Sequence, residues 1–250
     1  MGMTSVLLIG GWDPLGRAGL LADQAALQRL GRQSFSALVT AQTAQDDGTM
    51  RLWGEPISRL RLQLEIIFKE TQPSVVKSGM IVDEQQLGLL LDKIPPDVEW
   101  IVDPVLRSSS GQACYLDDCQ GEMYRALLRR ADLITPNLPE AEALTGMTGV
   151  AREDLLDGLK TLGARRILLK GGHGQGDHVE DLLTTSSPPK TLSQPRLPGR
   201  FRGTGCRLAS LVAGYRSQGI PWVSAVNQAH EVHHQWLQER VTSASRSQSK

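Results

Sequence analysis

The sequence lacks an excess of charge of either sign. Its 250 residues include 27 Lys and Arg and 27 Asp and Glu, so the formal net charge at pH 7 is zero. A chain without a general positive field has no broad attraction for nucleic acid or for an acidic membrane surface. Any anionic ligand must therefore be held by local hydrogen-bond donors.

Long apolar runs are missing as well. The longest, such as SVLLIG and RILLK, are far shorter than the roughly 20 residues of a membrane-spanning helix. The first residues, MGMTSVLLIGG, show neither a basic region nor a cleavable apolar region, so we expect no signal peptide. Apolar residues still make up 40% of the chain, which suffices for a full core.

Cysteines are few, and their number is odd. Cys114, Cys119 and Cys206 cannot all pair, which together with the expected lack of a signal peptide indicates a reducing, cytoplasmic environment. Cys114 and Cys119 have no histidine or second CxxC near them in the sequence, so two small packed side chains are favoured over a metal site. Cys206 keeps four alternatives at this point: a nucleophile, a base, half of a disulfide or a core residue.

Short apolar runs alternate with longer amphipathic segments. The short runs predict buried strands at residues 6–9, 36–40, 75–77, 100–102, 133–135 and 166–169. Apolar spacing of three to four residues predicts helices at residues 20–30, 57–69, 84–93, 122–130, 151–162, 206–217 and 223–240. This alternation favours an α/β fold with a mostly parallel sheet that is covered on both faces.

The chain shows no internal repeat and no block of like charge. We expect a single domain over residues 1–240 and a polar tail over residues 241–250. The polar, proline-rich segment 184–203 predicts a mobile or functional loop inside that domain. In parallel sheets ligands bind beyond the carboxyl ends of the strands, so the residues that follow each strand are the candidates for a site.

The first predicted strand runs into GGWDPLGRAGLLAD, a glycine turn before a helix that begins near Ala18. Such a turn can approach an anion or a planar polar ligand closely. It matches neither GxGxxG nor the P-loop, which disfavours a dinucleotide or Walker site. A plain turn explains the same residues about equally well.

Polar residues follow three later strands. Asp103 follows a strand directly and suits a carboxylate that faces a metal–phosphate. Asn137 and Glu140, three residues apart at a helix start, could hold hydrated magnesium, although helix capping alone explains them more simply. Lys170 precedes two glycines whose backbone could cover a nucleotide.

The segment FRGTGCRLAS, residues 201–210, places a thiol at a helix start. The amides of residues 203–206 would form a nest for phosphoryl oxygens. The helix dipole and the cations Arg202 and Arg207 are expected to lower the pKa of Cys206. A packed cysteine after a capping turn is the alternative.

In this order the segments resemble the ribokinase-like superfamily and, within it, the hydroxymethylpyrimidine and phosphomethylpyrimidine kinases of thiamine biosynthesis. The matching segments are GGWDPLGRAGLLAD, TAQTAQ, VKSGMI, VDPVL with SSG, TPNLPEAEALTG, LLKGGH and GTGC. They extend from the first predicted strand to the penultimate predicted helix. The cysteine of GTGC is specific, since sugar kinases of the superfamily resemble GAGD there, with an aspartate base.

The resemblance implies a three-layer α/β/α domain, commonly dimeric, that uses ATP and Mg²⁺. The residues implied to hold the pyrimidine are Gly11, Asp23, Gln45 and Met80, with Arg107 close to it. The carboxylates implied on the magnesium side are Asp103 and Glu140. The residues implied on the nucleotide side are Asn137, Lys170, Gly171, Gly172 and Thr204. The resemblance also implies an anion hole at Gly203, Thr204 and Gly205 beside a base, Cys206.

The chain departs from the family pattern around the implied substrate. The departures are at Trp12, Leu15, Arg17, Asp46, Asp47, Arg107, Ser109 and Arg202. Arg107 and Arg202 would strengthen binding of a phosphorylated substrate, or they would reshape the pocket for another ligand, or they are plain solvated side chains.

The resemblance thus predicts phosphorylation of 4-amino-5-hydroxymethyl-2-methylpyrimidine phosphate, with the free alcohol as a further candidate substrate. One alternative is a kinase for another hydroxymethyl heterocycle such as pyridoxal, against which Cys206 and Gln45 argue. The other is a catalytically weak protein that senses a thiamine precursor or a nucleotide.

Overall fold

The computed structural model describes residues 6–31, 35–46, 49–108, 111–172, 176–185, 188–199 and 201–248. Within them the strands are β1 (Val6–Trp12), β2 (Phe35–Asp46), β3 (Thr49–Gly54), β4 (Val75–Ser78), β5 (Glu99–Val102), β6 (Leu133–Ile134), β7 (Leu168–Leu169), β8 (His178–Leu183) and β9 (Lys190–Pro195). The helices are α1 (Gly19–Arg29), α2 (Ile57–Glu70), α3 (Glu84–Lys93), α4 (Glu122–Arg130), α5 (Leu138–Thr145), α6 (Arg152–Thr161), α7 (Thr204–Arg216) and α8 (Trp222–Gln248).

The central sheet has six strands in the order β3-β2-β1-β4-β5-β6. Neighbouring strands run parallel except β2 and β3, which form an antiparallel pair. The second sheet, β7-β8-β9, is antiparallel, and isolated parallel bridges join Ile134 to Ile167 and Asn137 to Lys170. The carboxyl ends of β1, β4, β5 and β6 therefore meet along one edge, where a ligand site is expected.

Consecutive residues of β1 point to opposite faces of the sheet, and this divides the core in two. Leu7 and Ile9 pack with apolar residues of α2 to α6. Val6 and Leu8 pack with apolar residues of α1, α7 and α8. Helices thus cover both faces, and the predicted three-layer α/β/α architecture with a mostly parallel sheet is confirmed.

Strands β3 and β8 were not among the strands predicted from the sequence, and two further segments differ from the predictions made for them. The segment 184–203, which was expected to be a loop, contains β9, which pairs with β8 in a hairpin. Only Leu192 of its six residues is buried, so this strand carries almost no apolar signal. Helix α8 continues through Gln248, so most of the segment predicted as a polar tail is helical. Within the described residues, no helix is both long and apolar enough to cross a membrane.

Candidate active site

The loop after β1 is closed by its own aspartate. Asp13 Oδ1 accepts a hydrogen bond from the Leu15 amide at 3.0 Å, and Oδ2 accepts from the amides of Arg17 and Ala18, both at 3.1 Å. These amides at the start of α1 are used within the loop. The turn is therefore held by Asp13, and the amides of Arg17 and Ala18 are not open to an anion.

Gly11 lies against Met80, as the resemblance implied for one wall of the pyrimidine site. A Cβ on Gly11 would lie 2.9 Å from Met80 Sδ, and Thr40 Oγ1 donates to the Met80 carbonyl at 2.6 Å. The backbone of Gln45 belongs to β2, whereas its side chain lies outside the part of the chain that the structure describes. Pyrimidine binding by Gly11, Met80 and Gln45 stays a prediction.

Asp23 of α1 is 0% exposed. Its two carboxylate oxygens each accept from Lys77 Nζ at 2.9 Å, and Oδ1 also accepts from Ser210 Oγ at 2.9 Å. Burial raises the pKa of Asp23 against the opposing effect of Lys77. An unpaired lysine would be costly at this depth, so Asp23 serves first as its counter-ion. Contact between Asp23 and a pyrimidine stays a prediction, and it requires the groups that cover the carboxylate to move.

Asp103 and Lys170 form an ion pair beyond the ends of β5 and β7. Lys170 Nζ lies 2.7 Å from Asp103 Oδ1, which also accepts from Thr135 Oγ1 at 3.1 Å. Burial opposes ionisation of Asp103, but the ammonium groups of Lys170 and Lys77 together hold the pKa of its carboxyl below the usual range. Asp103 is therefore an anion that Lys170 balances.

Asn137 and Glu140 form a capping box at the start of α5. Asn137 Oδ1 accepts from the Glu140 amide at 2.9 Å, and Glu140 Oε2 accepts from the Asn137 amide at 2.8 Å. The capping explanation is thereby confirmed. Burial raises the pKa of Glu140 to about 7, with Lys170 opposing the shift and Asp103 adding to it. A metal role for Glu140 would come in addition to capping.

The donor set fits a magnesium ion that is held chiefly by phosphate and water. Mg²⁺ prefers oxygen ligands and usually takes only one or two carboxylates from the protein, which Asp103 and Glu140 could supply. In the described ranges, no group of three or more His, Cys, Asp or Glu could hold a metal by itself. Metal binding by Asp103 and Glu140 stays a prediction.

The GTGC turn lies between the first loop and the Asp103–Lys170 pair. Gly203, the N-cap of α7, has φ +69°, and a Cβ there would overlap the carbonyl oxygen of Arg17. A Cβ on Gly205 would lie 2.7 Å from Lys170 Nζ and 3.5 Å from Asp103 Oδ2. Position 203 thus requires glycine, and a side chain at position 205 would displace the Lys170 ammonium group. The N-terminus of α7 lies beside this partly buried lysine.

The expected lowering of the Cys206 pKa is wrong for this structure. Burial raises the pKa of the thiol to about 12, because desolvation together with Asp23 and Asp103 outweighs the opposing effect of Lys77. Desolvation depends on how the surrounding elements pack, which the sequence does not state. Cys206 is thus a neutral thiol near pH 7.

The two arginines expected near the substrate, Arg107 and Arg202, and the one expected beside Cys206, Arg207, have separate surroundings. Arg107 is exposed, and its Nη1 donates to the Gly111 carbonyl of the same loop at 3.0 Å. Arg207 stacks on Trp236, with its guanidinium carbon 4.4 Å from the ring centroid. Arg202 Nε is buried and has no hydrogen-bond partner among the described residues. Arg207 is therefore a packing residue, whereas phosphate binding by Arg107 and Arg202 stays a prediction.

A cleft of about 220 Å³ opens beside the GTGC turn. Lys170, Gly172, Thr204 and Gly205, all implied on the nucleotide or anion side, line it. Residues of the β8–β9 hairpin and of α8 complete the lining. Gly171, the residue before Gly172, is buried. The geometry thus groups these implied residues around one space, in which nucleotide binding stays a prediction.

Lys77 and Asp13 are among the polar residues that escaped the sequence analysis. Lys77 interrupts the otherwise apolar run at the start of β4 and is fully buried. A charged residue inside a buried strand could have signalled it, because such a charge needs a partner. Asp13, which closes the first loop, could have been found from the Asp-Pro-x-Gly turn pattern.

Comparison with known proteins identifies the family of the chain. The phosphomethylpyrimidine kinase family model matches residues 13–248. The chain is 32% identical over 252 residues to the hydroxymethylpyrimidine/phosphomethylpyrimidine kinase of Bacillus subtilis, covering 96% of this chain and 90% of that protein. It is 35% identical over 232 residues to the protein of the same name from Streptomyces coelicolor, covering 90% and 86%.

Solved structures agree with the sequence comparisons. The crystal structure of phosphomethylpyrimidine kinase from Clostridium difficile is similar with a TM-score of 0.78 and 26% identity, over 94% of this chain and 99% of that one. Pyridoxal kinase from Staphylococcus aureus in complex with ADP gives a TM-score of 0.81 and 25% identity, over 92% and 86%. The fold is the ribokinase-like α/β fold, and the chain belongs to the phosphomethylpyrimidine kinase family.

Proposed function

We propose that this protein uses ATP to phosphorylate 4-amino-5-hydroxymethyl-2-methylpyrimidine phosphate in thiamine biosynthesis. The observation that carries the proposal is the position of the GTGC turn. Gly203 packs against Arg17 of the first loop, and Gly205 packs against Lys170 at the cleft. The turn thus joins the substrate-side wall to the nucleotide-side lysine, where a phosphoryl group would pass.

The residues supply what phosphoryl transfer requires. Transfer needs in-line placement of donor and acceptor and neutralisation of charge on the equatorial oxygens. The amides at the N-terminus of α7 and the ammonium group of Lys170 would provide donors and positive charge. Mg²⁺, held by Asp103 and Glu140, would neutralise phosphate charge when bound. Neutral glycines at positions 203 and 205 let the oxygens approach the backbone closely.

Cys206 is the proposed acceptor of the hydroxyl proton. With a thiol pKa of about 12, it is protonated near pH 7 in the structure. Asp103 is one of the groups that raise this pKa. Further compensation of the Asp103 charge in the loaded site would therefore favour the thiolate. The thiol would therefore release its proton to solvent as the substrates bind, and the resulting thiolate would then take the proton of the substrate hydroxyl.

Release of ADP, coupled to a spectroscopic assay, tests the proposal with three acceptors. We expect the highest kcat/KM with the pyrimidine monophosphate, followed by the free pyrimidine alcohol, and little or no turnover with pyridoxal. Absence of turnover with all three, with pyrimidine binding retained, would contradict the kinase proposal and leave a sensor of a thiamine precursor.

A pyridoxal-type kinase is the second candidate, favoured by the similarity to the pyridoxal kinase of Staphylococcus aureus in complex with ADP. The Cys206 and Gln45 positions argue against it, since they match the pyrimidine kinases. A higher kcat/KM with pyridoxal than with the pyrimidine monophosphate would establish it.

A homodimer, which the family resemblance implies, and a cytoplasmic location, which the cysteine count indicates, stay part of the proposal. Sedimentation would test the homodimer.

A further inference from the structure

A buried chain of three groups connects the nucleotide side of the site to the last helix. The amide of Gly171 donates to Asp181 Oδ1 in β8 at 2.8 Å. The other oxygen, Asp181 Oδ2, lies 3.3 Å from His230 Nε2 in α8. Asp181 is 4% exposed and His230 is 6% exposed. The contacts are therefore shielded from water, which makes each of them stronger than at a surface.

The backbone at Gly171 has little freedom. A Cβ there would overlap the carbonyl oxygen of Glu180 in β8, so the strand ends directly against the hairpin. The preceding residue, Lys170, has its amide bonded to the Pro136 carbonyl at 2.8 Å. A shift of Gly171 would thus move Lys170 and Gly172, both of which line the cleft.

Helix α8 holds the hairpin at a second point one turn before His230. Lys190 Nζ at the start of β9 donates to Asn227 Oδ1 at 2.9 Å. Asn227 and His230 are three residues apart and thus share one face of α8. That face contacts β9 through Asn227 and β8 through His230. The hairpin is consequently fixed to α8 at both of its strands.

His230 and Asp181 also line the cleft themselves, next to Lys170, Thr204 and Gly205. A side chain that only stabilised the hairpin would not need to lie on the wall of this space. The pair therefore connects the backbone that follows Lys170 with the position of α8 at the place where a nucleotide is proposed to bind.

We propose that His230, acting through Asp181, is a positioning residue that fixes the Gly171 backbone for binding of the adenine nucleotide. This inference rests on the proposed function, because it takes the cleft as the nucleotide site. It adds a role for α8, which none of the residues implied by the sequence occupies. Neither His230 nor Asp181 is among the residues implied to hold the pyrimidine. Loss of the pair should therefore weaken nucleotide binding and leave pyrimidine binding close to wild type.

The test is a split between nucleotide and pyrimidine parameters. His230→Ala removes the imidazole that contacts Asp181 Oδ2. We expect the KM for ATP to rise about tenfold, because the carboxylate that holds Gly171 then lacks its buried partner on α8. The KM for the pyrimidine and kcat at saturating ATP should stay within about twofold of wild type. His230→Gln, whose amide can reach the same oxygen, should recover most of the affinity for ATP.

His178→Ala is the matched control, since His178 is exposed at the start of the same strand, β8. It should leave the KM for ATP unchanged. Asp181→Asn combined with His230→Ala should weaken ATP binding less than the two single effects added together, because both substitutions break one chain of contacts. Thermal unfolding of each variant shows whether the fold is retained.

Direct titration with ADP separates this inference from the proposed function. If wild type binds ADP but phosphorylates none of the acceptors, the proposed function fails while the role of His230 can still be measured as a loss of ADP affinity. If His230→Ala binds ADP as tightly as wild type does, the inference is overturned. Equal losses for ADP and for the pyrimidine, or no recovery in His230→Gln, would overturn it too, since they indicate a general structural role.

Discussion

The floor of the candidate site and its rim differ in composition, burial and agreement with the family pattern. The floor consists of three buried charged residues, Asp23, Lys77 and Asp103, and of two partly buried residues, Lys170 and Cys206. The rim consists of exposed residues at the end of β1, in the first loop and in the loop after β5, namely Trp12, Leu15, Arg17 and Arg107. Every floor residue belongs to a segment that resembles the family, whereas every rim residue departs from its pattern.

Burial explains this difference. A floor residue such as Lys77 has its charge balanced by Asp23 at 2.9 Å, so a change in either leaves an unpaired charge in the interior. A rim residue such as Leu15 is 57% exposed, and a change there disturbs no packing. The floor is thus expected to determine whether the protein folds and transfers phosphate, and the rim to adjust which acceptor it prefers.

The largest expected effect is on the floor, at the thiol. Cys206→Ala should lower kcat by about a hundredfold to ten-thousandfold, the range for loss of a general base, while the ATP affinity stays close to wild type. Steady-state kinetics and ADP titration measure the two effects. Cys119→Ala, in a partly buried cysteine outside the floor, is the control and should keep wild-type turnover. An active Cys206→Ala variant would remove the thiol from the mechanism.

The buried ion pair of the floor should have the next largest effect. Lys77→Met leaves the Asp23 carboxylate without its counter-ion, and we expect a loss of about 3 kcal/mol or more in the free energy of unfolding. Lys77→Met with Asp23→Asn removes both charges and should recover part of that loss. Urea denaturation measures the differences, and Lys69→Met, whose side chain is 81% exposed, should change stability by less than about 0.5 kcal/mol. If Lys77→Met is as stable as wild type, the contrast between floor and rim does not hold.

The same contrast shows what the sequence could and could not predict. Strand β1 was predictable because its apolar run is buried on both faces, whereas β9 was not, because only Leu192 of it is buried. The segments around Asp103, Lys170 and GTGC could be found from their places after strands and from the family resemblance. The pairing of Lys77 with Asp23 and the raised pKa of Cys206 could not, since both depend on which groups the folded chain encloses together.

A smaller effect is expected where the floor meets the capping box. Glu140→Gln keeps a side chain that can accept the capping hydrogen bond but removes the negative charge. The Mg²⁺ concentration for half-maximal activity should rise about fivefold, if the carboxylate serves the metal as proposed. Activity measured across a magnesium titration gives this value, and an unchanged requirement would leave Glu140 with capping alone.

Stability against pH provides an independent check on Glu140. Its pKa in the folded protein is raised to about 7 from 4.5, so the folded state binds more protons than the unfolded state between these values. The contribution of Glu140 to stability is therefore most favourable at low pH and declines as the pH rises toward 7. Wild type should lose stability relative to Glu140→Gln across this interval, as measured by urea denaturation at a series of pH values.

The smallest expected effect is on the rim. Arg107→Ala should leave stability within about 0.5 kcal/mol of wild type, because the side chain is exposed. If the guanidinium helps to hold the substrate phosphate, the KM for the pyrimidine monophosphate should rise about threefold while that for the free alcohol stays constant. Arg125→Ala, at an exposed arginine of α4, is the control and should change neither value. If the KM for each acceptor is the same in Arg107→Ala as in wild type, Arg107 is a solvated side chain. Acceptor preference would then have to be traced to the other rim residues. These are Trp12 at the end of β1 and Leu15 and Arg17 on the loop that packs against Gly203.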